Sequence, residues 1–254
     1  MMRRPARLAL VLAALVAAPL ASCDRTVTPT ESLPALAPAS ADAGAGAWRM
    51  FVLASPDQIP VAAPAPATSD AYKAELAAVK AAQAVMTAEQ RANVAHWSGG
   101  GVLRWNQILR ELVARRNLPP APRADGTYAL PDPENPFADP SFPFANPPYA
   151  ARAYSYVAVA QYEALKAAWH YKYRYNRPRP QDVDAAVQAA APSGGLPGYP
   201  SEDAVLAGVT SEMLRLLFPA DVDQVQRAAA AEREAALLSG RATASDAAAG
   251  LALG

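Results

Sequence analysis

Cysteine and histidine are almost missing from these 254 residues, with one of the first and two of the second. A lone cysteine excludes an internal disulfide, so the fold must be held by packing. So few Cys and His, none at ligand spacing, leave no expected metal site. Charge is sparse as well, at 18% of residues with 23 of each sign, which excludes the strongly basic face that nucleic acid requires. No apolar run reaches the roughly 20 residues that a membrane-spanning helix needs. Strand-like alternation, heptads and internal repeats are lacking too, which leaves an all-α protein as the expected class.

What is present begins with Arg3, Arg4 and Arg7 ahead of an apolar run over residues 8–20, the order of charge and grease in a secretory signal. Leu20-Ala21-Ser22-Cys23 closes that run and resembles the lipobox of bacterial lipoproteins. The resemblance implies cleavage after residue 22 and a diacylglyceryl group on the thiol of Cys23. Residues 1–22 are thus expected to be a signal peptide, and the mature protein a lipid-anchored membrane protein of the cell envelope, on the periplasmic side. An incidental or buried cysteine is the plainer alternative. Removing residues 1–22 takes away three arginines and no acid, leaving 20 basic against 23 acidic side chains and a weakly acidic body.

Residues 24–68 hold seven prolines among alanines and serines, a composition too poor in apolar surface to offset its ordering entropy. Residues 23–68 are therefore expected to be a tether, with 48–53 as one stretch apolar enough to dock as an extended piece. Residues 69–254 read as one helical domain. Ser69 or Asp70 caps a first helix with Tyr72, Leu76, Val79 and Gln83 along one face, and Thr87 with Gln90 forms a capping box for a second. Gly99-Gly100-Gly101 interrupts, and 103–116 makes a third helix. Residues 119–148 contain ten prolines and read as a long loop. A long helix over 149–171 follows, then a polar loop over 172–182. Further helices begin after Ser201, at Asp221 and at Ser245.

Three separated segments could carry chemistry. Lys172, Arg174, Arg177 and Arg179 place four cations within eight residues stiffened by Pro178 and Pro180, a pattern suited to an oxyanion: lysine as a point charge, arginine as a planar fork. Pro200-Ser201-Glu202-Asp203 stands at a helix start, where free amides and the dipole favour anions. Residues 237–250 join the last two helices. Plainer readings stand beside these: a solvated basic loop, Ser201 as a simple cap, Asp203 as a charge partner. His96 and His170 read as ordinary hydrogen-bonded residues, although His170, two residues before Lys172, stands near a helix C-terminus that would favour its protonated form.

In these segments the chain resembles the superfamily of type 2 phosphatidic acid phosphatases and vanadium-dependent haloperoxidases. Lys172 with Arg179-Pro180 meets the first motif of that superfamily. Pro200-Ser201 matches half of its second, Pro-Ser-Gly-His, with Glu202 and Asp203 where glycine and histidine belong. Asp246 and Gly240 fit its third, but Ala235-Ala236 replace Ser-Arg and Ala242 replaces histidine. Ala95-His96-Trp97, Trp105-Asn106 and residues 167–173 extend the likeness on the haloperoxidase side. The resemblance implies a helical bundle of the acid phosphatase and haloperoxidase type. It also implies an ancestral activity of phosphoester hydrolysis or peroxide-dependent halide oxidation, with Lys172, Arg179 and Ser201 binding the anion. The chain stops at Gly254, where the last helix of that superfamily runs on, and so reads as a shortened form.

The departures bear on chemistry. Ala242 can be neither nucleophile nor vanadate ligand, so no vanadate cofactor is expected. Asp203 is the one candidate catalytic acid or base, but neighbouring cations disfavour its proton-carrying form. Arg233 and Arg241 are two candidates to replace the lost arginine. Glu202 and Asp203, beside Lys172, Arg177 and Arg179, are expected to act as built-in counter-ions that close the site, making a pseudoenzyme. The alternatives are a phosphate-bearing small molecule or lipid headgroup as ligand, and a purely structural envelope lipoprotein. Labelling with radioactive palmitate in a bacterial host is expected to mark the protein and to disappear in Cys23→Ser; an unlabelled wild type would refute the anchor.

Overall fold

The computed structural model describes residues 32–39, 42–116, 123–127 and 147–254. The signal peptide, Cys23 and most of the proline-rich loop lie outside the described residues. The helices are α1 (Asp70–Ala84), α2 (Ala88–Ser98), α3 (Gly101–Arg116), α4 (Pro147–Tyr175), the short α5 (Pro180–Val183), α6 (Glu202–Leu217), α7 (Val222–Leu238) and α8 (Ala244–Leu253). Among the described residues there is no strand, as the all-α expectation requires. No described helix is long and apolar enough to cross a membrane.

Helix α6 is the axis of the bundle, because it is apolar on nearly every face and such a helix is stable only when surrounded. Ala204, Val205, Leu206, Ala207, Leu214 and Leu217 are buried along it, and α3, α4, α7 and α8 pack around it. The main core joins Trp97, Trp105, Leu109 and Leu112 to Val157 of α4, Leu206 and Leu214 of α6, and Val225 of α7. Each such side chain contributes about 1.5–3 kcal/mol by leaving water. Helix α8 can lie close to α6 because Gly250 has no side chain: a Cβ there would collide with the carbonyl oxygen of Ser201.

Local signals placed the first helices as expected. Ser69 accepts the amide of Tyr72, and Tyr72, Leu76, Val79 and Gln83 are the buried face of α1. Thr87 and Gln90 form their capping box. Three later starts and stops differ. Helix α4 begins at Pro147 and runs through Tyr175, so Lys172 lies on its last turns and not in a loop. Lysine and arginine are good helix formers, and the helix ends only where Asn176 adopts a left-handed φ of 45° before Arg177-Pro178. Asp221 precedes α7 without a side-chain cap bond, because its carboxylate is spent on Arg116 at 2.7 Å. Thr243, not Ser245, caps α8 through a box with Asp246; the amide and hydroxyl of Ser245 bond to Glu75 instead.

The expected tether is the largest correction. Residues 42–65 lie along the bundle as an arm, held chiefly through their backbone. Glu163 accepts the amides of Phe51 and Leu53 at 2.7 and 2.9 Å. Tyr162, Tyr171, Tyr175 and Tyr199 donate their hydroxyls to the carbonyls of Arg49, Ile59, Val61 and Ala62. Docking at 48–53 is therefore polar: the side chains of Phe51 and Val52 remain 69% and 73% exposed. Composition argued for a tether because the polar partners that order the arm are supplied by distant tyrosines.

The bundle is locked by Arg177, whose guanidinium is buried against Asp246 of α8 and bonded to Ser245 at 2.9 Å. Tyr72 and Tyr199 flank it with ring centroids at 5.1 and 4.7 Å. Asp246 is fully enclosed and also accepts the amide and hydroxyl of Thr243. Removing one member of a buried pair strands the other charge. Asp246→Ala is therefore expected to lower stability by about 3–5 kcal/mol, measured by urea unfolding; a loss below about 1 kcal/mol, the level of a surface pair, would contradict this role.

Candidate functional site

A cavity of about 660 Å³ opens between the start of α3, the middle of α4 and the start of α6. Its walls are mostly apolar, and its polar end is made by Arg179, Glu202, Asp203 and Arg241. The turn after α4 carries Arg179, the first turn of α6 carries Glu202 and Asp203, and the turn between α7 and α8 carries Arg241. Ser201 caps α6 by accepting the amide of Ala204 at 3.4 Å, so Glu202 and Asp203 fall in the first turn, where the helix dipole favours negative charge.

The two acids take different partners. Glu202 Oε2 lies 3.3 Å from Arg179 Nη2 and 4.0 Å from Lys172 Nζ, while its Oε1 accepts the indole N–H of Trp169. Asp203 Oδ1 lies 3.2 Å from Arg241 Nη2. Arg179 is thus paired with Glu202 and not with Asp203. Arg177, expected beside them, is committed to Asp246 on another side of the loop. Of the two arginine candidates, Arg241 lines the cavity, whereas Arg233 donates to the carbonyl of Ala229 on its own helix.

Lys172 is buried behind Glu202 and donates to the carbonyls of Pro197 at 2.6 Å and Gly198 at 3.3 Å. Burial draws its pKa down to about 8, with Glu202 opposing that fall and Arg179 adding to it. Ser201 directs its hydroxyl to the helix amide and not into the cavity. Ala235, Ala236 and Ala242 are completely enclosed, and the amide of Ala242 bonds to the carbonyl of Ala236 at 3.3 Å. Neither histidine lines the cavity. His170 lies on α4 beneath the arm, where Gly46 packs on its backbone. His96 ends α2, its carbonyl taken by Arg104 at 2.8 Å.

Sequence inspection missed Glu232. It is enclosed on α7, accepts the indole N–H of Trp105 at 2.5 Å, and leaves Oε1 without a hydrogen-bond partner. Burial pushes its carboxyl well above the ordinary carboxylate range, and the negative charge of Asp203 adds to this. Its only sequence signal is an acid on the inward face of an alanine-rich helix, one and two turns from Ala229, Ala236 and Val225. Trp169, which anchors Glu202 through its indole N–H, falls within residues 167–173, whose sequence signal is the likeness on the haloperoxidase side.

No protein-family model matches the chain, and no curated protein matches it in sequence. Among solved structures, a bacterial vanadium-dependent iodoperoxidase superposes with a TM-score of 0.64 at 20% identity. The fold is of the vanadium haloperoxidase type. The likeness covers 91% of this chain, which spans 60% of the length of that protein.

On this haloperoxidase fold the residues present do not fit a vanadate. No imidazole reaches the cavity, and Arg179 already faces a carboxylate. Among the described residues no group of three Cys, His, Asp or Glu is arranged to hold a metal ion.

Glu232 gives a signed pH dependence. Because its folded-state pKa is raised, its contribution is intact below about pH 4.3, the ordinary glutamate value, and is lost progressively as pH rises toward the folded pKa. Urea unfolding from pH 4 to 8 is expected to show wild type losing stability relative to Glu232→Gln as pH rises; parallel profiles would contradict this.

Proposed function

We propose that the chain is a lipid-anchored envelope protein of the haloperoxidase fold whose oxyanion site is neutralised from within, so that it binds ligands at this cavity without hydrolysing phosphoesters or oxidising halide. The observation that carries this reading is Glu202, set 3.3 Å from Arg179 and 4.0 Å from Lys172, the two cations that the first motif would offer to phosphate. An added anion about 4 Å from Glu202 meets a repulsion of about 4 kcal/mol at an effective dielectric of about 20, which cancels the attraction of one cation at the same distance. Asp203 adds a second negative charge at the same end.

A hydrolytic reading would assign proton transfer to Asp203. Its contact with Arg241 at 3.2 Å favours a charge partner instead, and the enclosed Ala242 offers no nucleophile. Phosphoester hydrolysis thus stands as the ancestral activity and not the present one. The lipid anchor rests on the signal and on Cys23, and places the cavity at a membrane surface.

Calorimetry at neutral pH is expected to give no binding heat with inorganic phosphate or vanadate. Glu202→Gln, which keeps the shape and removes the charge, is expected to bind phosphate with a millimolar Kd. Tight phosphate binding by the wild type that disappears in Arg179→Ala, or turnover of a chromogenic phosphate ester, would overturn the reading.

A further inference from the structure

The polar end of the cavity carries paired charges, yet it is not saturated in hydrogen bonds. Arg179 and Arg241 both line it, and the Nε–H of each is buried without an acceptor. Arg179 is nine-tenths enclosed, so water cannot freely satisfy that donor, and a buried donor without a partner costs about 1–3 kcal/mol. The donors that Arg179 and Arg241 turn toward the cavity, not these shielded Nε–H groups, are the ones a ligand oxygen can reach. A full negative charge would not be welcome there, because Glu202 and Asp203 stand beside both arginines.

The remainder of the cavity is grease. Val102, Leu103, Leu165, Leu206 and the ring of Trp169 form its sides, and its volume lies in the range of small-molecule sites. The wall at Gly101 is bare backbone, since a Cβ would collide with the carboxyl of Glu232 and with Leu206. Glu232 lies directly behind that wall and keeps Oε1 unpartnered.

We propose that this cavity is a binding site for small, uncharged, mainly apolar molecules that carry one acceptor oxygen, such as a primary amide, ketone or ester. The oxygen faces Arg179 and Arg241, and the apolar body lies between α3, α4 and Trp169. The proposal rests on the self-neutralised reading of the same site, since the carboxylates that exclude phosphate are those that select against an anion. Desolvation in an apolar pocket already disfavours a carboxylate against an amide of equal length, so the part of the discrimination due to the paired charges is read from Glu202→Gln, which removes one of them.

The test uses two probes of one shape, octanamide and octanoate, titrated calorimetrically into the purified protein at neutral pH. Octanamide is expected to bind at least about tenfold more tightly than octanoate. Leu103→Trp, a substitution at a position 43% exposed on the rim, is expected to block octanamide with the thermal midpoint preserved. Glu202→Gln is expected to narrow the gap between the probes. Equal affinities, no octanamide binding by a folded protein, or octanamide binding unaffected by Leu103→Trp would overturn the proposal. None of these outcomes depends on whether phosphate binds, so failure here is separable from failure of the closed-site reading.

Discussion

Burying a guanidinium costs several kcal/mol unless its charge and most of its donors are met, and Arg177 is met by five side chains. Asp246 supplies the counter-charge, Ser245 and Thr243 supply hydroxyls, and the rings of Tyr72 and Tyr199 cover its faces. Those partners belong to α1, to the segment before α6 and to α8, so one side chain ties together elements far apart in sequence. With the turn after α4 pinned at that point, Arg179 is delivered to Glu202 two residues later. The geometry at the mouth of the cavity follows from a contact that never touches it.

The site side of that latch obeys a different electrostatic logic. Glu202 and Asp203 occupy the first turn of α6, a position already favourable for anions, and each meets an arginine. The dipole that would help to hold a free oxyanion instead stabilises side chains of the protein. Lys172 completes the arrangement by donating to two carbonyls, a role in which a lowered pKa is no handicap. The cavity keeps its volume and apolar walls, while its polar end has its charges paired.

Much of the bundle was legible because helix starts are short-range chemistry. Ser69 and Thr87 announce their caps within three residues, and the inward face of α1 follows from spacing alone. The charge run at 172–179 misleads in one respect: its polarity suggests a loop, although only Asn176 and Pro178 stop the helix. At the candidate site the participants Lys172, Arg179, Glu202 and Asp203 were legible by residue type, but their pairing was not. Which arginine meets which acid depends on how α4, α6 and the turn before α8 stack, information carried by no local window. Glu232 was invisible for the same reason: its meaning comes from Trp105 on a helix more than a hundred residues earlier. Asp221 and Ser245 show the converse, residues with correct local credentials that a distant partner had already claimed.

Four tyrosines grip the arm by its carbonyl oxygens, and Glu163 grips it by its amides. Such fastening is indifferent to side-chain identity, since every residue offers the same carbonyl. What it fixes is length: the count of residues between one grip and the next. The low-complexity composition of the arm is then no defect, because its alanines and prolines can exchange freely, whereas one inserted residue would shift every later carbonyl off its hydroxyl.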